Sequence, residues 1–240
     1  MTPLEVSIII PCFQAERTIA RALQSAAEQT ISHELIIIDG GSEDRTLEII
    51  QETGIRPDVL TSEPDKGVYD AINKGIDKSR GQWIYVLGSD DELFAPNALE
   101  LLLRKKKAGV VLLLGRIENI HRSHRSIPAF HDSMLNQTIQ WRNVVHQQGA
   151  IYHRSLFETF RFDTDLKVLG DYAFHLQLAD AKINWQFGPV LLARCEAGGL
   201  SKQFTKKLYE EEYRIKQDKS FIIRNFVWLK YLYKKTLGLL

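Results

Sequence analysis

The chain has 240 residues, 44% of them apolar and 25% charged, with 15 Gly and 7 Pro. That balance excludes a disordered or collagen-like polypeptide, and the length allows one substantial core. Lys and Arg number 31 against 30 Asp and Glu, so no overall field would hold the chain on nucleic acid, and none is expected as a partner. The balance hides a split: residues 201–240 carry ten basic and four acidic residues, a net +6, which leaves −5 on the first 200. Two cysteines, Cys12 and Cys195, offer neither a disulfide framework nor metal-ligand spacing and fit a reducing compartment. The first residues show no basic-then-apolar leader, and no apolar run nears the roughly 18 residues needed to span a bilayer. A cytoplasmic protein is the expectation.

Val6 to Ile10 is a β-branched run stopping at Pro11, as a strand buried on both faces would. The period then changes: Ile19, Ala22, Leu23, Ala26 and Ala27 fall on one face of a helix within Glu16 to Gln29. Leu35 to Ile38 is a second buried strand, ended by Asp39-Gly40-Gly41-Ser42. Arg45 to Thr53 follows as a helix, with Asp44 as its N-cap and Gly54 as its end. Asp58 to Thr61 is a weaker strand, Tyr69 to Ser79 a helix closing at Gly81, and Trp83 to Leu87 a strand running into Gly88-Ser89-Asp90-Asp91. Asn97 and Glu100 form a capping-box pattern for a helix over Ala98 to Lys107, and Val110 to Leu114 is another strand. Residues 116–148 alternate poorly, hold His121, His124 and His131, and suggest loops and edge strands. Helices over Ser155 to Phe160 and Asp171 to Asp180, strands at Ile183 to Phe187 and Val190 to Ala193, a turn at Gly198-Gly199 and a helical tail complete the chain. Strands alternating with helices predict an α/β fold: a mostly parallel central sheet with helices on both faces.

In such a sheet, ligands bind beyond the carboxyl ends of the strands. Two strands end there in acid, one at Asp39 and one at Asp90-Asp91, each beside Gly and Ser. Carboxylates so placed are hard oxygen ligands for Mg²⁺ or Mn²⁺, ions that commonly share their shell with substrate phosphates; an Asp can also simply serve as a turn or cap residue. The sequence has no G-x-x-x-x-G-K-[ST] loop, no G-x-G-x-x-G after the first strand, no H-E-x-x-H and no G-x-S-x-G. An enzyme handling a phosphorylated ligand through a carboxylate-held metal remains.

Four ordered segments carry a resemblance: Ser7-Ile-Ile-Ile-Pro-Cys-Phe13, Ile38-Asp-Gly-Gly-Ser-Glu-Asp-Arg-Thr46, Ser62-Glu-Pro-Asp-Lys-Gly-Val-Tyr-Asp-Ala-Ile-Asn-Lys-Gly75 and Gly81-Gln-Trp-Ile-Tyr-Val-Leu-Gly-Ser-Asp-Asp91. Weaker matches follow at His146-Gln147, Arg154-Ser-Leu-Phe157, Gly170-Asp-Tyr172 and Gly198-Gly-Leu-Ser201. The chain resembles the family 2 glycosyltransferases, in particular the bacterial colanic-acid type that builds surface polysaccharides. The resemblance implies the nucleotide-diphospho-sugar transferase (GT-A) fold and sugar transfer with inversion at the anomeric carbon, from a nucleotide-sugar donor to a glycan or polyprenyl-diphosphate-linked acceptor. By position, Pro11 and Phe13 would flank the nucleotide base, Asp39 would bond base or ribose, and Lys66, Asp70 and Asn73 would run beside the nucleotide. Asp90 and Asp91 match the metal-binding acidic motif, with Asp91 the direct ligand to Mn²⁺ or Mg²⁺. His146 is either a partner of metal or phosphate or a buried structural histidine. Asp171 matches the base that takes the acceptor proton, or else is an ordinary cap at the helix start. Gly170 stands where the family more often has an acid, and Gly40 and Gly88 replace further acids. Trp141, Trp185 and Tyr172 could stack on acceptor sugars or belong to the core.

These features divide the chain into a catalytic domain over 1–201 and a basic helical extension over 202–240. In the tail, Ile222, Phe226, Leu229 and Tyr233 form one helical stripe, with Arg224, Lys230, Lys234 and Lys235 off it and Trp228 and Tyr231 nearby. The tail would either lie on an anionic leaflet at the inner face of the cell membrane or pack on the domain with a solvated basic side. Two other functions share parts of this pattern: a nucleotidyltransferase, which would want a Gly-rich basic loop after the first strand where Pro11-Cys-Phe-Gln-Ala15 stands, and a non-catalytic scaffold that keeps the fold alone.

Overall fold

The structure is a computed structural model and describes residues 4–120, 128–196 and 205–236. The segments holding His121, His124 and Gly198 to Ser201 lie outside the described residues. Nine strands form one sheet in the order β3-β2-β1-β4-β8-β6-β9-β5, with β7 paired to β6. The first half is the expected alternation: β1 (Val6–Cys12), α1 (Ile19–Ala27), β2 (His33–Asp39), α2 (Thr46–Glu52), β3 (Val59–Ser62), α3 (Val68–Lys78) and β4 (Trp83–Val86). Strands β3, β2, β1 and β4 run parallel.

Successive side chains of these strands point to opposite faces, and both faces are covered. Ile9, Ile36, Ile38, Ile84 and Val86 pack with Tyr69, Ile72 and Ile76 of α3. Their neighbours Ile8, Ile10, Leu35, Ile37, Trp83 and Tyr85 pack on the other side with Ile19, Leu23 and Ala26 of α1. A continuous apolar strand is what a sheet buried on both faces demands, which is why these runs were readable.

The second half departs from its sequence reading in several places. A two-residue strand, β5 (Glu92–Leu93), follows the acidic pair and pairs antiparallel with β9 (Trp185–Glu196). Helix α4 (Ala98–Leu103) is shorter than expected, and the capping box does not form: Asn97 makes no side-chain cap bond, and the Glu100 carboxylate is engaged elsewhere, accepting from Thr30 Oγ1 at 2.5 Å and Arg104 Nε at 2.7 Å. Asp44 lies one residue before the N-cap of α2, where its carboxylate accepts from the Thr46 N–H; Gly54 follows that helix with φ +71°. Strand β6 (Leu112–Ile120) continues through residues expected in loops, and the two late strands fuse into the twelve-residue β9. The β6–β9 ladder shifts register around Arg116, an irregularity that breaks the period-two pattern. A single 3₁₀ segment, Arg154–Glu158, replaces the helix expected over Ser155 to Phe160.

Strand β7 (Phe130–Asp132) lies at the edge, and β8 (Ala150–His153) enters antiparallel between β4 and β6. That reversal is important for the site: β8 begins where the parallel strands end, so residues just before Ala150 arrive at their carboxyl edge. Helix α5 (Gly170–Asp180) packs on the α3 side through Tyr172, Phe174, Leu176 and Leu178.

The tail is two helices, α6 (Lys206–Ile215) and α7 (Phe221–Thr236). Leu208, Tyr209 and Val227 join the same apolar cluster as α3 and α5. Much of the basic charge is turned onto the body: Arg214 pairs with Asp163 and Asp165, and Lys219 with Asp180. Lys216 is fully buried, donating to Glu212 Oε1 at 2.6 Å and to the Trp141 carbonyl at 3.0 Å. Trp228 and Tyr231 are turned inward against Tyr213 and Tyr209, so they do not form the outer aromatic pair of an interfacial helix. Among the described residues no helix is long and apolar enough to cross a membrane.

Candidate active site

At the carboxyl edge of the parallel strands lies a cavity of about 350 Å³. Its lining includes Pro11 from β1, Gly88, Asp90 and Asp91 after β4, His146, Gln147 and Gln148 before β8, and Asp171 from α5. Four separate parts of the sequence meet here. Asn143 and Lys167, which sequence reading did not single out, line the same cavity. Only the tertiary fold brings them in, and neither sits in a recognisable motif.

The acidic pair is held at the cavity by tight backbone. A Cβ built on Gly88 would come within 2.6 Å of Asp91 Oδ2, 2.9 Å of Asp90 Oδ1 and 3.0 Å of Gln148 Nε2. Both carboxylates therefore converge on one small space that only a residue without a side chain leaves open. Asp91 is buried and its Oδ1 accepts the Glu196 N–H at 3.0 Å. Burial first, and the neighbouring Asp90 second, push its carboxyl up to about 7.

His146 lines the cavity, but among the described residues no three His, Cys, Asp or Glu side chains form a metal-holding group. The expected His146 ligand is thus not brought into a cage with Asp91. Its backbone N–H is anchored on Ser133 Oγ at 3.1 Å, and its ring lies 6.3 Å from that of His131. What Asp90 and Asp91 do fit is an oxygen-seeking cation that completes its shell from a ligand's own phosphates.

Asp171 stands in the first turn of α5, with Leu169 rather than itself as N-cap. Asn143 Nδ2 donates to its Oδ2 at 3.1 Å, and the Tyr69 hydroxyl, 2.8 Å from the Val168 carbonyl, lies 3.4 Å from its Oδ1. Burial raises its carboxyl to about 6, outweighing these hydrogen bonds. The group is ionised at neutral pH yet a stronger proton acceptor than an ordinary Asp.

The other expected residues lie outside the lining of this cavity. Asp39 is fully buried, and its oxygens take Ser42 Oγ at 2.5 Å, Ser62 Oγ at 2.6 Å, the Ser42 N–H at 2.9 Å, the Gly41 N–H at 3.2 Å and the Cys12 thiol at 3.7 Å. Although burial pushes its carboxyl up, bonds from Ser42 and Ser62 outweigh that and hold it below the ordinary value. So bonded, Asp39 organises the turn in which Gly41 takes φ +83°. Phe13 is exposed and packs on Gly40, outside the cavity lining.

Lys66, Asp70 and Asn73 do not line the cavity either. Asp70 accepts the Lys66 N–H at 3.1 Å at the start of α3, and Asn73 exchanges two hydrogen bonds with the Phe162 backbone. Lys66 is exposed, and its carbonyl accepts from Lys167 Nζ; among the described residues the lysine that lines the cavity is Lys167. Tyr172 is core, its hydroxyl donating to the Ile139 carbonyl. Trp185 packs against the same core, and Trp141 stacks edge-on with Phe226 of α7.

A family model described as Glycosyl transferase family 2 matches residues 7–183. The chain belongs to glycosyl transferase family 2. It is similar to a PGL/p-HBAD biosynthesis glycosyltransferase of Mycobacterium bovis, 32% identical over 84% of this chain and 83% of that protein. The succinoglycan biosynthesis protein ExoO of Rhizobium meliloti is 27% identical over 70% of this chain and 53% of its own. Among solved structures, S. aureus TarS in complex with UDP-GlcNAc superposes with a TM-score of 0.68 at 17% identity, covering 95% of this chain and 71% of that one. The mannosyltransferase PcManGT of Pyrobaculum calidifontis, in complex with GDP-Man and Mn²⁺, gives 0.68 at 14% identity, covering 91% and 64%. The fold of this glycosyltransferase is GT-A: a curled, mostly parallel sheet with helices on both faces.

Gly170, which replaces the more usual acid, has a local reason. A Cβ there would meet Tyr69 ring carbons at 2.6 Å. A helical Gly→Ala change ordinarily stabilises by up to about 1 kcal/mol. Here overpacking, typically costing about 1–3 kcal/mol, should win. Urea denaturation should show Gly170→Ala less stable than the parent; a more stable variant would mean that the Tyr69 ring yields.

Proposed function

We propose that this glycosyltransferase moves a sugar, with inversion, from a nucleotide-diphospho-sugar to a hydroxyl of a glycan or lipid-linked acceptor in bacterial surface polysaccharide synthesis. The observation that carries the reading is the cavity itself. It joins a converging acid pair, Asp90 and Asp91, to a separate, hydrogen-bonded carboxylate with raised basicity, Asp171. The named relatives act in PGL/p-HBAD and succinoglycan biosynthesis, and neighbours of the same fold are solved in complex with UDP-GlcNAc and with GDP-Man.

Asp91, with Asp90, would hold Mn²⁺ or Mg²⁺ together with the donor diphosphate. Bound there, the cation supplies Lewis-acid stabilisation of the departing nucleoside diphosphate. The chain's own residues then set the chemistry. Asp171 takes the proton of the acceptor hydroxyl as that oxygen bonds to the anomeric carbon and the bond from that carbon to the phosphate oxygen breaks. Asn143 fixes the carboxylate's rotation by donating to one oxygen, and the Tyr69 hydroxyl stands beside the other. Lys167 adds positive charge at the same cavity, and Pro11 lies at the mouth where the first strand ends.

The exposed face of α7 supports work at a membrane. Phe221, Ile222, Leu229, Leu232 and Tyr233 all face outward, between 54% and 73% exposed. They extend the expected stripe, on a tail of net +6. An anionic bilayer bearing the acceptor is the occupant that matches both the apolar face and the charge.

Removing a general base usually lowers turnover by about 10²- to 10⁴-fold, so Asp171→Asn should nearly abolish sugar transfer while nucleotide binding, followed by thermal shift, persists. In the parent, kcat/KM should fall as pH drops through about 6, because the base is lost on protonation; turnover near the parent rate in Asp171→Asn would refute the assignment. For the membrane contact, flotation with phosphatidylglycerol vesicles should recover the full chain but much less of a Leu229→Glu/Leu232→Glu variant. Equal recovery would exclude α7 as the contact.

A further inference from the structure

Glu211 of α6 is a buried carboxylate that does not itself line the cavity, yet it is bound to the segment that delivers Asp171. It accepts three consecutive backbone N–H groups: Lys167 on Oε1 at 2.9 Å, and Val168 and Leu169 on Oε2 at 3.0 and 3.1 Å. These are the three residues before α5, whose second residue is Asp171. One carboxylate with three charge-assisted bonds fixes this stretch far more firmly than a loop could fix itself.

Its neighbours extend the arrangement. The Val168 carbonyl accepts from the Tyr69 hydroxyl, which also reaches Asp171 Oδ1. On the other side, Lys216 of the same helix region holds the Trp141 carbonyl and is itself fixed by Glu212, which also takes Lys230 of α7. Two residues beyond Trp141, Asn143 donates to Asp171 Oδ2. The stretch that leads into Asp171 and the stretch that carries Asn143 are therefore held, the first directly and the second through Lys216, by consecutive acids of one tail helix.

We infer that Glu211 is a positioning residue for the reaction: it sets the place of Asp171 by holding the backbone of 167–169, with the Glu212–Lys216 pair securing the Asn143 side. The inference rests on the reading of Asp171 as the base. A salt bridge to a surface group would serve merely to attach the tail; a carboxylate spread over three successive N–H groups beside the base fixes a geometry, and small misplacements of a reacting group are costly in rate.

A double-mutant cycle separates positioning from general support of the fold. Nucleotide release would be followed with Mn²⁺ and whichever of UDP-GlcNAc, UDP-glucose and GDP-mannose the full chain turns over fastest. Glu211→Gln keeps the size but presents an amide N–H₂ to N–H donors, and it should lower kcat at least about tenfold with donor KM within about twofold. In an Asp171→Asn background the same change should have an effect below about twofold, because the group it positions is already gone. Equal losses in both backgrounds, or no loss in the parent, would overturn the inference. Thermal unfolding and UDP-plus-Mn²⁺ binding of Glu211→Gln, both expected to be retained, show that the variant is folded. If Asp171→Asn alone matches the parent rate, the base assignment itself fails, an outcome visible without any change at Glu211.

Discussion

A carboxylate taken out of water must either be given hydrogen bonds enough to replace its hydration or be left with a raised pKa, and this constraint sorts the acids of the molecule. Asp39 receives five donors, and Glu34 receives Ser7 Oγ, Arg80 and the Gly81 N–H. Both are buried and both sit below the ordinary carboxylate value, because these bonds outweigh the burial that pushes them up. They are architecture: Glu34 joins β2 to β1 and to the turn before β4, and Asp39 builds the turn after β2. At Asp91 and Asp171 the balance is reversed: burial outweighs the donors and leaves both raised. Both line the cavity. A raised carboxyl at the cavity thus singles out the two positions at which we propose that a cation and a proton are handled.

The sheet places these two acids together by mixing strand directions. Asp91 comes from the end of a parallel strand, as the α/β pattern expects. Asp171 belongs to a helix on one face, and Asn143 and the His146 to Gln148 run reach the same edge because β8 enters reversed. The short β5 then ties the chain just after Asp91 to β9, whose end supplies the Glu196 N–H to Asp91.

The parallel half was legible because strands buried on both faces are written as unbroken apolar runs, and Asp90, Asp91 and Asp171 stood in motifs with fixed places. The role of Asp39 was not legible: an acid after a strand looks the same whether it faces a ligand or five protein donors. The contacts of Asp70 and Asn73 were illegible for a related reason, since a polar helix face does not reveal which side chains are taken by Phe162 or by the helix's own first turn. In the second half, the register shift near Arg116 hid the length of β6 and β9. Asn143, Lys167 and Glu211 act through contacts over long sequence separations, for which no local signal exists. The tail read as one helix with two possible faces is two helices, one welded to the body through its charges and one with an apolar face outward.

The most direct test of the account is a crystal structure of the chain with Mn²⁺ and a nucleotide-sugar, chosen by thermal shift from UDP- and GDP-linked donors. The account predicts the diphosphate and metal at Asp90 and Asp91, with the face of the sugar's anomeric carbon away from the diphosphate turned toward Asp171. A donor bound with its diphosphate against Asp171, or one seated outside this cavity, would contradict it.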